Sequence, residues 1–460
     1  MNDYQDRPLL LVIFGISGNL ARRKLMPALY HLLKRGDLPQ QFRVIGISRK
    51  DYQIDQLFAD IREYLPEDLD VSVLDGLRNS TVISQLDLRG HEAYVHLKEQ
   101  LEVASEELGG NTTRLYYLSI PAQAFGGVVK SLGDAGHNLP FENETTEPKL
   151  LVEKPFGYNT TSAQELITSA DEHYGESQIY RIDHYLAKET AQNILTFRFN
   201  NPLFQTIWNA RHIDRITIGA YETIGIEGRA DFYEKTGALR DILQSHLPQL
   251  LALIMMEQPA RLESADIHRA KLRLLDSILP IDTDTVDQKA DRGQYDSYRA
   301  EVNNPDSLTE TFARLKLSVD NEQWRGVPVI LETGKGLERK CTEIAVHFRE
   351  STESVGDNTL TFRLQPSEGI TLSLQAKRPG MSNTTDTVAM EFEYAKSFAG
   401  GTAEAYERVI LDAVRGDQSL FASGAEVMAS WRIVENVISE WSKNDRDLKI
   451  YSVGEKPENL

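Results

Sequence analysis

Four short stretches of the chain carry residues whose types and spacing suit chemistry. The segment RIDHYLAKET (181–190) brings Asp183, His184, Tyr185 and Lys188 close together in sequence. If a helix begins after Asp183, His184 and Lys188 stand four residues apart on one face, with Tyr185 three before Lys188. Imidazolium, phenol and ammonium beside a helix N-terminus form a cage for a phosphate dianion. A capping aspartate followed by an ordinary i,i+4 pair accounts for the same residues without a ligand. The segment GALRDILQSH (237–246) places Asp241 and His246 on a second predicted helix, whose apolar side is Leu239, Leu243, Leu247 and Leu250. Five residues correspond to about 140° on an ideal helix, so both side chains can border a cleft without stacking. Pro248 removes a backbone donor just beyond the histidine and invites a kink. That histidine is a candidate for chemistry. On a helix by itself it is usually structural, and what points to chemistry is its company.

The third stretch, GISGNLA (15–21), follows the apolar run LLLVIF. A strand, a glycine turn and a helix start aim free N–H groups and a helix dipole at one spot, which suits a phosphate. The form G-x-x-G-x-x-A departs from G-x-G-x-x-G, and alone it fits a structural corner equally well. The next strand, FRVIGIS, ends in Ser48, Arg49 and Lys50, where a NAD-selective site places an acid. Arg49 instead matches a ribose 2′-phosphate through bidentate charge-assisted bonds, which predicts NADP. A solvated Arg-Lys pair is the alternative. The candidate cofactor-binding set is Gly15, Ser17, Gly18, Asn19, Leu20, Lys24, Ser48, Arg49 and Lys154. Lys154 belongs to the fourth stretch, EKPFG (153–157), at the end of a buried strand; a lysine in water is the alternative there, and Pro155 can adopt the cis form. No metal is expected.

The elements that must position these residues fall into two patterns. Up to about residue 180, short apolar strands such as FRVIGIS, RLYYLSIP and KLLVEKP alternate with helical segments such as SAQELITSADEHYG, as in a βαβ fold whose ligands sit beyond the strand ends. Beyond that point DRITIGAYE, ARLKLSVDN, TEIAVHFRES, NTLTFRLQP, GITLSLQAKRP and TVAMEFEYA alternate with period two, as half-buried antiparallel strands do. With 460 residues, 41% of them hydrophobic, the chain divides into about two domains. The fold class is an α/β Rossmann-type N-terminal domain with an α+β C-terminal domain on a large, mainly antiparallel sheet. A net charge of -19 argues against nonspecific binding to nucleic acid or anionic membrane, so an anionic ligand needs a local basic cluster. The apolar run at the N-terminus is too short and wrongly flanked for a signal peptide, and no stretch is long enough to span a bilayer. The single cysteine, Cys341, rules out an intrachain disulfide and makes the cytoplasm the expected compartment.

Together these stretches resemble the glucose-6-phosphate dehydrogenase family over nearly the whole chain. The resemblance is carried by GISGNLARRKLMPALY, RLYYLSIP, EKPFG, RIDHYLAKE, QNILTFRFNNPLF, WNARHIDRI, GIEGRADFYEKTGALRDILQSH, RGQY, TETFARLKL, GVPVILETGK and AYERVILDAVRGD, in order. It implies oxidation of glucose 6-phosphate at C1 to the 6-phospho-lactone with hydride transfer to NADP, the first oxidative step of the pentose phosphate pathway. It implies His246 as general base and Asp183 as its partner. His184, Tyr185 and Lys188 are then the phosphate anchors, Lys154 lies between sugar and cofactor, Glu222 and Asp241 hold sugar hydroxyls, and Lys335 and Lys340 reach the substrate. Residues 1–182 become the NADP-binding domain and 183–460 the substrate-binding and dimerisation domain, in a homodimer or homotetramer. The chain departs from the family at Asn19, Ala187 and Ser245, which stand for Asp, Gly and Asn, and at Gln323 and Glu332, which stand for Arg; LFASGAEVMASW lacks the usual Arg and Asp. None of these removes the base, its partner or the cage. A sugar dehydrogenase of the glucose–fructose oxidoreductase type shares the two domain types and an EKP lysine, but it has no use for a phosphate cage. An NADP-binding homologue with an impaired site is the non-enzymatic alternative, disfavoured by the intact His246, Asp183 and Asp241.

Overall fold

The computed structural model describes residues 4–87, 89–350, 358–398, 403–443 and 447–460. They fall into two compact units. The first comprises Met1–Gly157, Thr161–Ala187 and Ala403–Gly424. Its sheet contains β1 (Leu9–Phe14), β2 (Phe42–Ser48), β3 (Thr81–Gln85), β4 (Thr113–Leu118), β5 (Lys149–Val152) and β6 (Ile179–Ile182). The order is β6-β5-β4-β1-β2-β3, all parallel, with a short antiparallel strand Phe421–Ala422 added on β6. The all-apolar LLLVIF is explained by burial on both faces: Leu9, Leu11 and Ile13 face one apolar cluster, and Leu10, Val12 and Phe14 face the other. The strand order reverses between β1 and β4, the point where such sheets leave a crevice for ligands.

The sequence boundary at 182/183 differs from this division. Chain through Ala187 belongs to the first unit, and so does the helix Ala405–Arg415, assigned from sequence to the second domain. Its apolar stripe explains this, because Val409, Ile410, Ala413 and Val414 bury in the same cluster as Leu9, Leu11 and Ile13. Lys149 Nζ on β5 donates to the Ala413 carbonyl at 2.6 Å near that helix's end.

The second unit comprises Tyr158–Thr160, Lys188–Thr402 and Ala425–Leu460. Its strands are β7 (Ile213–Tyr221), β8 (Ile278–Leu279), β9 (Ala290–Tyr295), β10 (Phe312–Val319), β11 (Val329–Gly334), β12 (Cys341–Phe348), β13 (Thr359–Gln365), β14 (Gly369–Lys377), β15 (Thr385–Glu393) and a last strand Leu448–Tyr451. They run β15-β14-β13-β12-β7-β11-β10-β9-last strand, with β8 paired to β10. Pairing is antiparallel except for β7 with β11 and β9 with the last strand. The sheet is therefore mixed, and the period-two alternation of β12 and β13 is the burial pattern found. The helix His246–Met255 packs against helices Glu189–Phe199 and Ser264–Ser277 and against β7, and all ten of its residues are buried. Among the described residues no helix is long and apolar enough to cross a membrane.

Candidate active site

In the first unit, β1 runs into a turn that only glycine permits at its first position. Gly15 has φ +81°, and a Cβ there would lie 2.2 Å from the Ser119 carbonyl oxygen beyond β4. The Gly18 N–H donates to the Gly15 carbonyl at 2.8 Å, closing the turn, and the Arg22 N–H donates to the Gly18 carbonyl at 3.2 Å as the helix begins. That helix opens with a π-wound turn, Ala21–Leu25, and continues as α over Met26–Arg35. Beside it, Ser48 ends β2; its Oγ accepts the Lys50 N–H at 3.2 Å and lies 3.4 Å from the Ser17 Oγ. Arg49 and Lys50 are exposed, whereas Lys24 pairs with Glu404 at 3.1 Å. A turn that a side chain would block, next to exposed cations on the neighbouring strand end, fits a dinucleotide phosphate cradle.

Lys154 follows β5 and precedes a cis peptide bond to Pro155. Immediately before it stands Glu153, which the sequence did not single out. Tyr117 Oη donates to Glu153 Oε1 at 2.5 Å. Burial pushes the Glu153 carboxyl up to about 7, against the phenols of Tyr117 and Tyr406 and the Lys154 ammonium, with the Asp183 charge adding to the rise. His137, on the same unit, is shifted the opposite way: burial lowers it to about 4, despite a hydrogen bond with the Tyr94 carbonyl at 2.8 Å.

These two groups give stability opposite slopes against pH. Between the ordinary carboxyl value of 4.5 and about 7, folded Glu153 keeps a proton that the unfolded chain has lost, so its contribution is present below 4.5 and lost as pH rises through 7. Folded His137 refuses a proton that the unfolded chain takes below 6.5, so its contribution is lost as pH falls from 6.5 to about 4. Relative to wild type, Glu153→Gln should gain about 3 kcal/mol on going from pH 4.5 to 7, and His137→Gln should gain a similar amount on going from 6.5 to 4. Denaturant midpoints measured across that range test both; parallel pH profiles for variant and wild type would contradict the assignment.

The segment Asp183–Lys188 is a turn, not the start of a helix as the spacing predicts. The Tyr185 N–H donates to Asp183 Oδ1 at 3.0 Å, and the Leu186 N–H donates to the Asp183 carbonyl at 3.0 Å. A side chain that takes the backbone donor two residues on offers an alternative to helix, so the helix waits until Glu189, with Lys188 as its extended cap. His184 and Lys188 therefore share a turn rather than a helix face, with the His184 and Tyr185 rings 5.0 Å apart. Asp183 is 5% exposed. Asp183, His184 and Tyr185 belong to the first unit, and Lys188 belongs to the second, where its Nζ lies 3.9 Å from Glu368.

In the second unit Lys335, 4% exposed, pairs through Nζ with Glu222. The Tyr451 phenol donates to the Lys335 carbonyl at 2.7 Å and fixes that backbone, while the Lys335 ammonium lies 5.5 Å from the Tyr233 ring centre. Lys340 is exposed, between β11 and β12. Asp241 and His246 lie on either side of a break that differs from the predicted continuous helix. Gly237, at φ +62°, turns the chain, and the Leu239 N–H donates to the buried Glu310 carboxylate at 2.9 Å. Residues Leu239–Leu243 are π-wound, with the Gln244 N–H donating to the Leu239 carbonyl at 2.7 Å, and α-helix resumes at His246. Pro248 has no N–H to offer the Gln244 carbonyl, so the break falls before the histidine rather than after it. The ideal-helix separation of Asp241 and His246 does not apply across it. A π-turn thus follows the glycine loop in one unit and precedes the histidine in the other.

Comparison with known proteins bears on the whole chain. Residues 12–193 match the glucose-6-phosphate dehydrogenase NAD binding domain, and residues 195–459 match the C-terminal domain of the same family. The chain belongs to the glucose-6-phosphate dehydrogenase family. It is 38% identical to glucose-6-phosphate 1-dehydrogenase of Chlamydia muridarum, across 95% of this chain and 91% of that one. It is 37% identical to glucose-6-phosphate 1-dehydrogenase 2 of Mycobacterium tuberculosis, across 95% and 88% respectively. A glucose-6-phosphate dehydrogenase solved in complex with its substrate glucose 6-phosphate superposes with a TM-score of 0.92 at 31% identity, covering 99% of this chain and 96% of that chain.

Residues expected from the sequence to depart from the glucose-6-phosphate dehydrogenase family pattern find partners in the structure. Glu332 faces Arg314 directly across β10 and β11, accepts from its Nε at 2.6 Å, and also accepts from the Tyr221 phenol. The charge is thus balanced within the sheet. Gln323 donates through Nε2 to the Trp208 carbonyl at 2.7 Å. Ser245 Oγ donates to the Asp241 carbonyl at 2.7 Å inside the break, and Ala187 is buried. Besides Glu153, sequence reasoning missed Glu310 and Tyr451. The signal available for Glu310 was an acid beside Thr311 and Phe312 in a strand-like run; for Tyr451 there was none.

Proposed function

We propose that the protein oxidises glucose 6-phosphate at C1 to 6-phosphoglucono-1,5-lactone, with NADP as hydride acceptor. The likeness to the enzyme solved with glucose 6-phosphate, over 99% of this chain, carries the proposal. His246 takes the proton from the C1 hydroxyl while the C1 hydride leaves with its electron pair. Asp183 holds the imidazole in the required tautomer and supports its charged form, as the carboxylate does in a hydrolase triad. His184, Tyr185 and Lys188 hold the 6-phosphate; Glu222, Asp241, Lys335, Lys340 and Lys154 hold the sugar. When bound, NADP supplies the nicotinamide ring that accepts the hydride. Gly15, Ser17, Gly18, Asn19, Leu20 and Lys24 are assigned to its pyrophosphate side, and Ser48 and Arg49 to the 2′-phosphate.

Absorbance of the reduced cofactor, with glucose 6-phosphate or glucose and with NADP or NAD, tests the proposal. Turnover is expected with the phosphorylated sugar and NADP; turnover of glucose at equal efficiency would remove the phosphate cage. Arg49→Ala should raise KM for NADP about 10- to 100-fold and leave KM for NAD within twofold, since it deletes a charge-assisted contact to a group NAD lacks. Equal losses with both cofactors would refute the assignment.

We also propose a homodimer or homotetramer, in the cytoplasm. β15 ends the large sheet with Met390 64% exposed and Val388 also exposed, an apolar edge suited to a second chain. Light scattering should give two or four times 52.0 kDa; a single-chain mass would contradict it.

A further inference from the structure

The helix that begins with His246 is tied down at its far end, and the ties are unusually complete. A helix leaves its last carbonyls without backbone partners. Here the Met256 N–H donates to the Ala252 carbonyl at 2.9 Å, and each of the next four carbonyls receives a side-chain donor. Arg198 Nη1 donates to Leu253 at 2.6 Å, Trp208 Nε1 to Ile254 at 2.7 Å, Trp324 Nε1 to Met255 at 2.7 Å, and Arg198 Nη2 to Met256 at 2.7 Å. All three side chains are buried, at 4%, 4% and 0% exposure. They come from three separate places: the helix Glu189–Phe199, the chain before β7, and the connection between β10 and β11. The Arg198 guanidinium also lies 5.4 Å from the Trp208 ring centre, and Gln323 links the Trp324 connection back to the Trp208 carbonyl.

At its near end the same helix has no continuous ladder behind it. The π-wound turn and the break at Gln244–Ser245 separate it from Leu239–Leu243, and the missing N–H of Pro248 weakens the ladder there. The side-chain bonds at the far end therefore bear on the position of the imidazole along the helix axis, beside the packing of the helix. We propose that Arg198, Trp208 and Trp324 form a clamp that positions His246 for proton abstraction. This rests on His246 being the base. They are positioning residues and touch neither sugar nor cofactor. A guanidinium can bond two carbonyls, here those of Leu253 and Met256 that flank the pair taken by the indoles, where an indole N–H reaches one each, and the cation also suits the negative end of the helix dipole.

The test uses the full chain with Arg198→Met, Trp208→Phe and Trp324→Phe. The tryptophan changes keep an aromatic ring while removing the N–H with part of the indole, a smaller loss than that of a guanidinium with two bonds, so they serve where the arginine variant fails to fold. kcat is expected to fall at least 10-fold in Arg198→Met and about threefold in each tryptophan variant, because a small misplacement of a catalytic group is costly. KM for glucose 6-phosphate should stay within twofold. The isotope effect on kcat with sugar deuterated at C1 should rise as chemistry becomes slower relative to product release. The His246 ring resonance, assigned by its loss in His246→Asn, should move in all three variants. A kcat that drops only in proportion to unfolded protein, with isotope effect and resonance unchanged, would overturn the clamp. If wild type turns over no glucose 6-phosphate while the resonance still moves, the clamp on the imidazole stands and the assigned reaction fails.

Discussion

His246→Asn should lower kcat with glucose 6-phosphate and NADP by about 10²- to 10⁴-fold, the usual contribution of a positioned general base. In barrier terms that is about 3–5 kcal/mol. Asparagine keeps a polar side chain of similar reach at a site 1% exposed, so the fold should survive. Binding of NADPH, followed by its fluorescence, should remain within twofold, because the residues proposed to hold the cofactor are on the other unit. Residual activity should climb with pH, since water or hydroxide must then take the C1 hydroxyl proton. A variant with kcat within fivefold of wild type would exclude His246 as the base and would direct attention to the buried acid Glu153.

The largest expected loss of stability lies away from this chemistry. Lys271 and Glu426 have fully buried side chains and pair at 2.8 Å, and Glu426 also accepts from His268 Nδ1 at 2.8 Å. Burial alone would push the Glu426 carboxyl up, yet the Lys271 ammonium and the His268 ring hold it down to about 2. Lys271→Met strips a buried carboxylate of its main counter-charge and should cost about 3–5 kcal/mol at pH 7. The double variant Lys271→Met/Glu426→Leu should recover most of that loss, because removing both charges avoids their desolvation. The single variant's deficit should shrink as pH falls, since the freed carboxyl takes a proton more readily than in wild type. Denaturant unfolding of the three proteins decides it. A double variant as unstable as the single would mean that packing, and not charge, dominates this contact.

The glycine turn and the strand patterning were legible in the chain because they rest on local physics. A glycine turn after an all-apolar run, with cations instead of an acid at the end of the next strand, needs only backbone sterics and charge to be read. The period-two alternation of β12 and β13 likewise follows from one face of a sheet being buried. Where the sequence prediction missed, competing local bonds won. Asp183 takes the Tyr185 N–H and turns Asp183–Lys188 away from helix, and Pro248 moves the break upstream of His246. The helix Ala405–Arg415 shows the reverse: its amphipathic stripe was plain, but a stripe does not say which sheet it covers. What only the tertiary structure decided are contacts between residues far apart in the chain. These are Glu332 balanced by Arg314, Glu310 accepting from Leu239, Tyr451 holding the Lys335 backbone, and the three donors that end the His246 helix. Each satisfies a buried charge or polar group, and such a group must find a partner that hydrophobic periodicity does not encode.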